Sequence, residues 1–297
     1  MERSRAASAA VDLPPPQAGI GLAPGTVQVS VWVPASIDEV WAALTERDIV
    51  ARWFGDLSTT LKLGGAYRLD FGDGDFFTIT DVALAPPNRL SYRWRFLGTG
   101  PDNDISWSIA SRDGKCLVTV TDFEASRTRD GVAEMTAGWT DFLQRLQAYG
   151  ATGQNSRYAW RKEFDGSIEL PIEATEAFDA LLSAEGQRHW MPWSAAAIAP
   201  GTPVTMSDGN RPERLTIGTV ERSGSQSLRF TLTCPEWRAA TECLVRLQPW
   251  PRGSLLIVSH NGWQAISLRD AEQAAQRMRF GTLWTQALRA ARQVVSG

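Results

Sequence analysis

Apolar and polar residues alternate along several short segments of the chain, most clearly over residues 89–97. Leu90, Tyr92, Trp94 and Phe96 fall on one face of an extended chain, and polar residues fall on the other. Because successive side chains of a strand point to opposite faces of a sheet, this pattern predicts a strand with one buried face. Similar segments in the first half are 27–33, 59–71, 76–85, 104–111 and 116–123. The turns between them contain Gly, Asn and Asp, which favours antiparallel hairpins.

Apolar residues at helical spacing mark two further segments of the same half. The segment 37–44 follows the spacing of a short helix, and Ser36 with Glu39 is typical of a capping box at its start. A long helix is predicted over 132–149, where one face is apolar. An antiparallel sheet with one apolar face must bury it, and this long helix is the only predicted element able to cover it.

The second half of the chain repeats this order of elements. Segment 34–44 is similar to segment 171–181, with Pro34 matching Pro171 and Trp41 matching Phe178. Predicted strands lie at 167–170, 203–206, 213–222, 227–233, 241–248 and 254–260, and a final helix lies at 270–295. An internal repeat of this kind indicates two copies of one unit. The expected fold class is α+β, with two tandem domains that each wrap an antiparallel sheet around a long C-terminal helix.

Changes in composition predict where these domains begin and end. Residues 1–25 are rich in Ala, Pro and Gly, and we expect them to form a disordered tail. The first domain is expected over 26–150 and the second over 163–297. The polar, Gly-containing segment 151–162 is expected to link them.

Charge and composition argue against several classes of function. A net charge of −3 without a basic stripe gives no electrostatic basis for binding nucleic acid. No run of 18 apolar residues occurs, so no membrane span is expected. Three scattered Cys residues favour a reducing cytoplasm over a disulfide framework, and two His residues leave few ligands for zinc. We therefore expect a cytoplasmic protein without metal or cofactor, and we leave its oligomeric state open.

Motifs of the first half resemble a known family. They are Val33-Pro34-Ala35, Val40-Trp41-Ala42-Ala43-Leu44-Thr45, Ala51-Arg52-Trp53-Phe54, Leu63-Gly64-Gly65-Ala66-Tyr67-Arg68-Leu69, Pro86-Pro87-Asn88-Arg89-Leu90-Ser91-Tyr92-Arg93-Trp94 and Gly138-Trp139. Together they cover nearly all of 27–150 and are similar to the branch of the SRPBCC, or START-like, superfamily named after the activator of Hsp90 ATPase homologue 1. The second half matches more loosely, through Ser259-His260-Asn261-Gly262-Trp263, and lacks the Gly-Gly pair.

The resemblance implies a helix-grip fold with an apolar cavity between the sheet and the closing helix. Members of the superfamily bind lipids, sterols, hormones or polyketides. Some catalyse polyketide cyclisation or aromatisation, some protect a producing organism from its own toxic metabolite, and others assist a chaperone. A fold alone does not choose among these activities.

Two polar residues interrupt the apolar faces of the last predicted strands. Asp122 is in phase with the inward-facing Val118 and Val120, and His260 takes the equivalent position in the second copy. A buried Asp or His needs a hydrogen-bond partner, and a titratable group in a pocket is a candidate acid, base or ligand anchor. Structural, ligand-binding and catalytic roles are therefore all open for both residues.

The residues expected to contact a ligand line the predicted cavity from the sheet and from the closing helices. They are Tyr92, Trp94, Trp107, Asp122, Met135, Trp139, His260 and Trp284. Trp53 and Trp190 are expected to belong to the core beneath the second short helix of each copy. The Arg127-Thr128-Arg129 segment is expected to lie on a solvated surface.

These expectations favour the binding or sequestration of a hydrophobic or aromatic small molecule, such as a natural product in biosynthesis or self-resistance. A polyketide cyclase or aromatase that uses Asp122 or His260 for proton transfer is the first alternative. A chaperone-associated interaction module is the second. If one copy alone binds, we expect the better pocket in the first copy and the chemistry in the second.

Overall fold

The computed structural model describes residues 13–193, 198–206, 212–224 and 226–296. Contacts within the chain divide it into two compact units. The first unit contains residues up to Leu69 together with Thr78–Trp94 and Asp102–Tyr158. The second contains Asp70–Phe77, Arg95–Pro101 and the chain from Ala159. The domain limits expected from the sequence, 26–150 and 163–297, stay a prediction.

The first sheet has eight strands in the described residues, in the spatial order β1-β2-β8-β7-β6-β5-β4-β3. The strands are β1 (Gln17–Ala18), β2 (Thr26–Val33), β3 (Asp56–Leu57), β4 (Tyr67–Asp70), β5 (Phe76–Ala85), β6 (Arg89–Phe96), β7 (Asp102–Arg112) and β8 (Lys115–Phe123). The last strand β8 lies between β2 and β7 and is antiparallel to both.

Three helices complete this part of the chain: α1 (Ile37–Thr45), α2 (Arg47–Val50) and the long α3 (Arg129–Thr152). The predicted capping box of α1 is confirmed. The Ser36 hydroxyl accepts a hydrogen bond from the Glu39 amide, and the Glu39 carboxylate accepts one from the Ser36 amide. These two bonds satisfy donors that a helix start would otherwise leave unpaired.

The second sheet has six strands in the described residues, in the order β10-β11-β12-β13-β14-β9. They are β9 (Phe164–Leu170), β10 (Pro203–Met206), β11 (Glu213–Ser223), β12 (Ser227–Thr233), β13 (Thr241–Trp250) and β14 (Gly253–Asn261). The helices are α4 (Ala174–Leu182), α5 (Ala184–Trp190) and α6 (Asp270–Ser296), with a 3₁₀ turn at Trp263–Ala265. No helix among the described residues is both long and apolar enough to cross a lipid bilayer.

The packing confirms two tandem copies of one architecture. The first main strand of each copy pairs with the last one, β2 with β8 and β9 with β14. Trp53 and Trp190 are both buried, as predicted. The Trp53 Nε1 donates to the Ala43 carbonyl at 2.7 Å, and the Trp190 Nε1 donates to the Leu181 carbonyl at 2.9 Å. Both copies thus attach the segment after the first short helix in the same way.

The strand predicted over 59–71 is wrong for most of its length, since β4 begins only at Tyr67. Gly64 and Gly65 have positive φ angles of 69° and 79°, which an extended strand does not contain. The Tyr67 hydroxyl closes the resulting loop by donating to the Lys62 carbonyl and accepting from the Lys62 amide, both at 3.0 Å. The Gly-Gly pair therefore marks a loop rather than a strand interior.

Part of the segment expected to be a disordered tail is a strand. Gln17 and Ala18 of β1 pair with Ser30 and Val29 of β2. The alternation of apolar and polar residues could not predict this strand, because the strand has two residues and both are exposed. Residues 1–12 of the expected tail lie outside the described residues.

Candidate functional site

Asp122 lies on the inner face of β8 and is fully buried. Its Oδ1 accepts a hydrogen bond from the Arg127 Nη2 at 2.6 Å, and its Oδ2 accepts one from the Trp139 Nε1 at 2.9 Å. Burial raises the pKa of Asp122, although the Arg127 guanidinium opposes the rise. Both carboxylate oxygens are therefore bonded to groups of the protein itself.

The interior around Asp122 is filled by aromatic rings. Trp139 on α3 stacks on Trp94 of β6, with ring centroids 5.1 Å apart and planes 9° apart. Trp107 of β7 meets Trp139 edge-on at 5.3 Å. The Trp107 Nε1 donates to the Tyr92 hydroxyl at 3.1 Å, and burial raises the pKa of Tyr92. Five of the predicted ligand-binding residues thus come together, and they contact one another.

His260 takes the equivalent place on β14 of the second unit and is also fully buried. Its Nδ1 lies 3.0 Å from the Trp284 Nε1, and its Nε2 lies 2.8 Å from the Thr241 hydroxyl. An indole nitrogen can only donate, so Nδ1 is the acceptor and the ring proton of the neutral His resides on Nε2. Burial, and secondarily the Arg277 cation, hold the pKa of His260 well below its usual range.

Both units therefore use the same contact, a hydrogen bond from the closing-helix Trp to a polar side chain of the last strand. We call this contact the helix–strand clasp. In the first unit it joins Trp139 to Asp122, and in the second it joins Trp284 to His260. A clasp satisfies the buried polar group and holds the helix on the sheet at the same time.

Met135 is the one predicted ligand-binding residue that stands apart from these clusters. It is half-buried on the first half of α3, where no residue before Trp139 is buried. The ligand-binding and catalytic roles predicted for all of these residues stay predictions.

Three cavities in the described part of the chain lie outside the clasps. One of about 490 Å³ crosses the outer face of the first sheet, over Ser106, Ser108, Thr119 and Thr121. A smaller one of about 150 Å³ lies between α1 and the end of α3. The largest, about 560 Å³, lies against α6 in the second unit. The described residues contain no group of three side chains suited to hold a metal ion.

We call the largest of these the Trp237 cavity. It is bounded by the start of β11, the β12–β13 loop, the segment after the 3₁₀ turn and one face of α6. Its lining residues are Pro212, Glu213, Arg214, Pro235, Glu236, Trp237, Ile266, Ser267, Glu272, Ala275, Gln276 and Arg279.

The Trp237 cavity has an aromatic wall that continues to His260. The Trp237 ring lies 5.9 Å from both Trp263 and Phe280. These two rings in turn lie 4.2 Å and 4.9 Å from the His260 ring. One aromatic layer thus separates the clasp of the second unit from the cavity.

An ion pair between Glu213 and Arg279 forms the polar part of the cavity. The Gln276 Nε2 donates to the second Glu213 oxygen at 3.2 Å. Burial raises the pKa of Glu213, while Arg279 opposes the rise. Close by, the Cys234 thiol donates to the Glu236 carboxylate at 2.6 Å, and burial raises the pKa of this thiol to about 12.

The sequence did not reveal these polar partners. Arg127 was expected on a solvated surface, but its side chain is 6% exposed because it pairs with Asp122 and donates to the Gly25 carbonyl. Arg279 and Glu213 are separated by 66 positions and belong to no motif. One feature of the sequence could have indicated the partner of Asp122. Arg127 is a cation only five residues after this carboxylate, which was predicted to be buried.

Comparison with known proteins supports the fold assignment. A family model described as activator of Hsp90 ATPase homolog 1-like protein matches residues 34–151. The chain is 38% identical to DynU16, a protein in the dynemicin biosynthetic locus, and the crystal structure of DynU16 matches with a TM-score of 0.81. That match covers 91% of this chain and 98% of DynU16. No curated protein matches the chain.

Two further solved structures match with lower scores. CalU16 from Micromonospora echinospora is 21% identical, with a TM-score of 0.39, over 47% of this chain and 88% of CalU16. The di-domain ARO/CYC StfQ from the steffimycin biosynthetic pathway is 10% identical, with a TM-score of 0.35, over 91% of this chain and 98% of StfQ.

The match to DynU16 spans both halves of the chain, and the family model covers the first half. The motifs of the first half from Pro34 onward lie within the range of the family model, and the match to DynU16 includes the two helix-bearing sheets. The chain therefore belongs to the SRPBCC, or START-like, superfamily, as a tandem-domain protein whose first domain is of the activator of Hsp90 ATPase homologue 1-like type.

Proposed function

We propose that this protein binds and sequesters a small molecule with a flat aromatic body, and that the Trp237 cavity is the binding site. The cavity itself carries the proposal. Its volume of about 560 Å³ falls within the range of about 300–1,000 Å³ that is typical of small-molecule sites. Its lining joins an apolar part, with Trp237, Ile266 and Pro235, to several charged and polar side chains. The apolar part can hold an aromatic body, and polar groups of a pocket fix the orientation of its ligand.

The interior of the first unit offers less support for a binding site. Trp94, Trp107 and Trp139 are in mutual contact, and Trp139 is held by Asp122. A ligand at this place would have to separate stacked rings and leave a buried carboxylate with one partner fewer, which is costly. We therefore place the site in the second unit.

The contacts of Asp122 and His260 do not favour the cyclase alternative. Each ring nitrogen of His260 is bonded to a protein group, and each oxygen of Asp122 accepts a bond from one. A general base needs a partner atom of the substrate within hydrogen-bond reach. If Asp122 and His260 instead hold the closing helices on the sheets, their hydrogen bonds are explained and no substrate atom has to reach them.

A relative that matches both halves of the chain supports the kind of ligand that we propose. DynU16 is a protein in the dynemicin biosynthetic locus. This supports a natural product as the ligand, bound in the course of its biosynthesis or in self-resistance. All three Cys residues are free thiols, which is compatible with the cytoplasmic location expected from the sequence.

The proposal is tested by titrating the full chain with 2-acetonaphthone in an isothermal calorimeter. We expect saturable binding at one site per chain. Trp237→Ala should weaken binding about tenfold, equivalent to about 1.4 kcal/mol, because it removes the aromatic ring that lines the cavity.

Trp250→Ala is the matched control. Trp250 is a half-buried Trp of the same unit at the far end of β13, and it is not part of the cavity lining. Its replacement should leave the affinity unchanged. The proposal fails if 2-acetonaphthone does not bind, or if both Trp variants bind it as the parent chain does.

A further inference from the structure

The Glu213–Arg279 ion pair is a feature that the fold itself does not require. Counted back from the clasp residue Trp284, Arg279 and Gln276 correspond to Glu134 and Gly131 before Trp139 in the first unit. Glu134 is exposed, and a Gly has no side chain that could bond a carboxylate. The first unit therefore packs its closing helix without such a pair.

The pair is also poorly explained as a source of stability. The side chains of Glu213 and Arg279 are 13% and 18% exposed, so both charges have lost most of their hydration. For a buried ion pair this cost usually cancels the attraction, and apolar residues of similar size would stabilise a protein as well or better. Charged groups kept at such a cost inside a cavity are candidates for contact with a ligand.

The chemistry of the two side chains defines a complementary ligand edge. A carboxylate offers about four acceptor positions on two oxygens, and Glu213 uses its oxygens for Arg279, Gln276 and the Cys234 thiol. A guanidinium presents five N–H donors in a rigid plane that matches carbonyl and carboxylate oxygens. A donor and an acceptor placed side by side on the ligand would meet both groups at once.

The walls on either side of the pair select for a flat and largely apolar body. Trp237, Ile266 and Pro235 are apolar lining residues, whereas Glu236 and Glu272 add negative charge. Among the residues that the structure describes, the lining contains three carboxylates and two guanidinium groups. An anionic ligand would face the excess of negative charge on these residues.

We propose that the ligand carries a hydrogen-bond donor directly beside a carbonyl on one edge of its aromatic body, with Glu213 accepting from the donor and Arg279 donating to the carbonyl. Carboxamides, lactams and hydroxy-ketones share this edge. This proposal rests on the proposed function, because it concerns the same cavity.

Three probes with the same naphthalene body test it in calorimetric titrations of the full chain. 2-Naphthamide carries donor and carbonyl, 2-acetonaphthone carries the carbonyl alone, and 2-naphthoate carries a negative charge. The amide should bind at least about tenfold more tightly than the other two, as one additional hydrogen bond to a charged group contributes about 1.5–3 kcal/mol.

The preference should depend on Glu213, and the affinity for both carbonyl probes should depend on Arg279. Glu213→Gln replaces the charged acceptor with a neutral one and should lower the preference for the amide over 2-acetonaphthone at least about threefold, while the affinity for 2-acetonaphthone changes by no more than about threefold. Arg279→Met should weaken 2-naphthamide and 2-acetonaphthone by a similar factor, because both carry the carbonyl. Arg279→Lys keeps the charge without the planar fork and should weaken both probes less than Arg279→Met does. Arg229→Met removes an exposed cation paired with Glu242 on neighbouring strands of the same sheet, and it should leave the preference intact.

The outcomes separate this proposal from the proposed function. Equal affinity of the parent chain for all three probes, with Trp237→Ala still weakening each, overturns the donor–carbonyl edge and leaves the site in place. A preference that is undiminished in Glu213→Gln, whose near-identical shape preserves the packing, also overturns it. Failure of every probe to bind the parent chain overturns both.

Discussion

At the scale of single residues, the helix–strand clasp shows how a polar side chain can be buried and still keep its hydrogen bonds. Asp122 and His260 occupy equivalent positions, yet one is an acid and the other an imidazole. What the position requires is an acceptor for an indole N–H, and both side chains can supply one. The two side chains differ in their second hydrogen bond. Asp122 forms an ion pair with the Arg127 guanidinium, whereas His260 donates to the Thr241 hydroxyl.

This chemistry makes the stability of the second unit depend on pH. The pKa of His260 in the folded protein is lowered well below 6.5, by burial first and by Arg277 second. As the pH falls below 6.5, the unfolded chain takes up a proton that the folded one does not. The free energy of unfolding should therefore decrease below pH 6.5, with a slope from this residue approaching about 1.4 kcal/mol per pH unit.

Urea unfolding between pH 7.5 and 5 measures this slope. His260→Gln, which keeps an acceptor and a donor but does not titrate, should flatten it. His189→Gln is the control, because His189 is an exposed residue that pairs with Glu185 on α5. Equal slopes for the parent chain and His260→Gln would show that His260 is not the group responsible.

Alternation along the strands was sufficient to place Asp122 and His260 on the inner face, because side-chain direction is a local property of a strand. Their partners could not be predicted in the same way. Trp139 and Trp284 reach them across a helix–sheet interface, and Arg127 comes from an irregular segment without periodicity. The Glu213–Arg279 pair is a further case, since no spacing rule connects a strand start to a helix 66 positions later.

At the scale of elements, the two closing helices share a gradient of burial. In α3 the first buried residue is Trp139, and in α6 it is Arg277. The early turns are held by local features instead, such as the Thr128 hydroxyl that accepts from the Gly131 amide at the start of α3. Sequence periodicity found these helices because their later turns have a continuous apolar face, but it placed the start of α3 three residues too late.

Two glycines of α3 should respond in opposite ways to the same change. A Cβ added at Gly138 meets no atom within 4 Å, so Gly138→Ala should stabilise the protein by up to about 1 kcal/mol through helix propensity. A Cβ added at Gly150 would lie 2.3 Å from the Val33 Cγ1. Gly150→Ala should therefore destabilise by about 1–3 kcal/mol, because β2 and α3 would have to move apart.

Thermal or urea unfolding of the two variants measures both effects, and each serves as the control of the other. A stabilised Gly150→Ala variant would mean that Val33 turns away at little cost. The close approach of α3 to β2 at Gly150 would then not be a constraint on this fold.

At the scale of the whole molecule, duplication has produced two units with one architecture and different interiors. The first is filled by stacked indoles around an acid, and the second has a cavity with an ion pair that one aromatic layer separates from a neutral imidazole. The repeat itself was visible in the sequence, since Pro, Trp and Leu positions recur. The divergence was visible only as Asp122 against His260, because cavities depend on packing that no linear pattern records.

The divergence predicts that a ligand protects one unit alone. With 2-acetonaphthone at about 100 times its dissociation constant, binding should stabilise the second unit by about 2.7 kcal/mol. Amide hydrogen exchange should then slow in α6 and the start of β11, and stay unchanged in α3 and β8. Equal protection of α3 would instead indicate a site in the first unit.

The stack of Trp94 on Trp139 has a consequence for spectroscopy. Two nearly parallel indoles with centroids 5.1 Å apart couple their electronic transitions. The pair should therefore contribute a paired-sign band to the far-ultraviolet circular dichroism spectrum, and Trp94→Phe should remove that contribution. The difference between the spectra of the parent chain and Trp94→Phe is thus an intrinsic optical label on the first copy, whose folding can be followed in the intact protein without a dye.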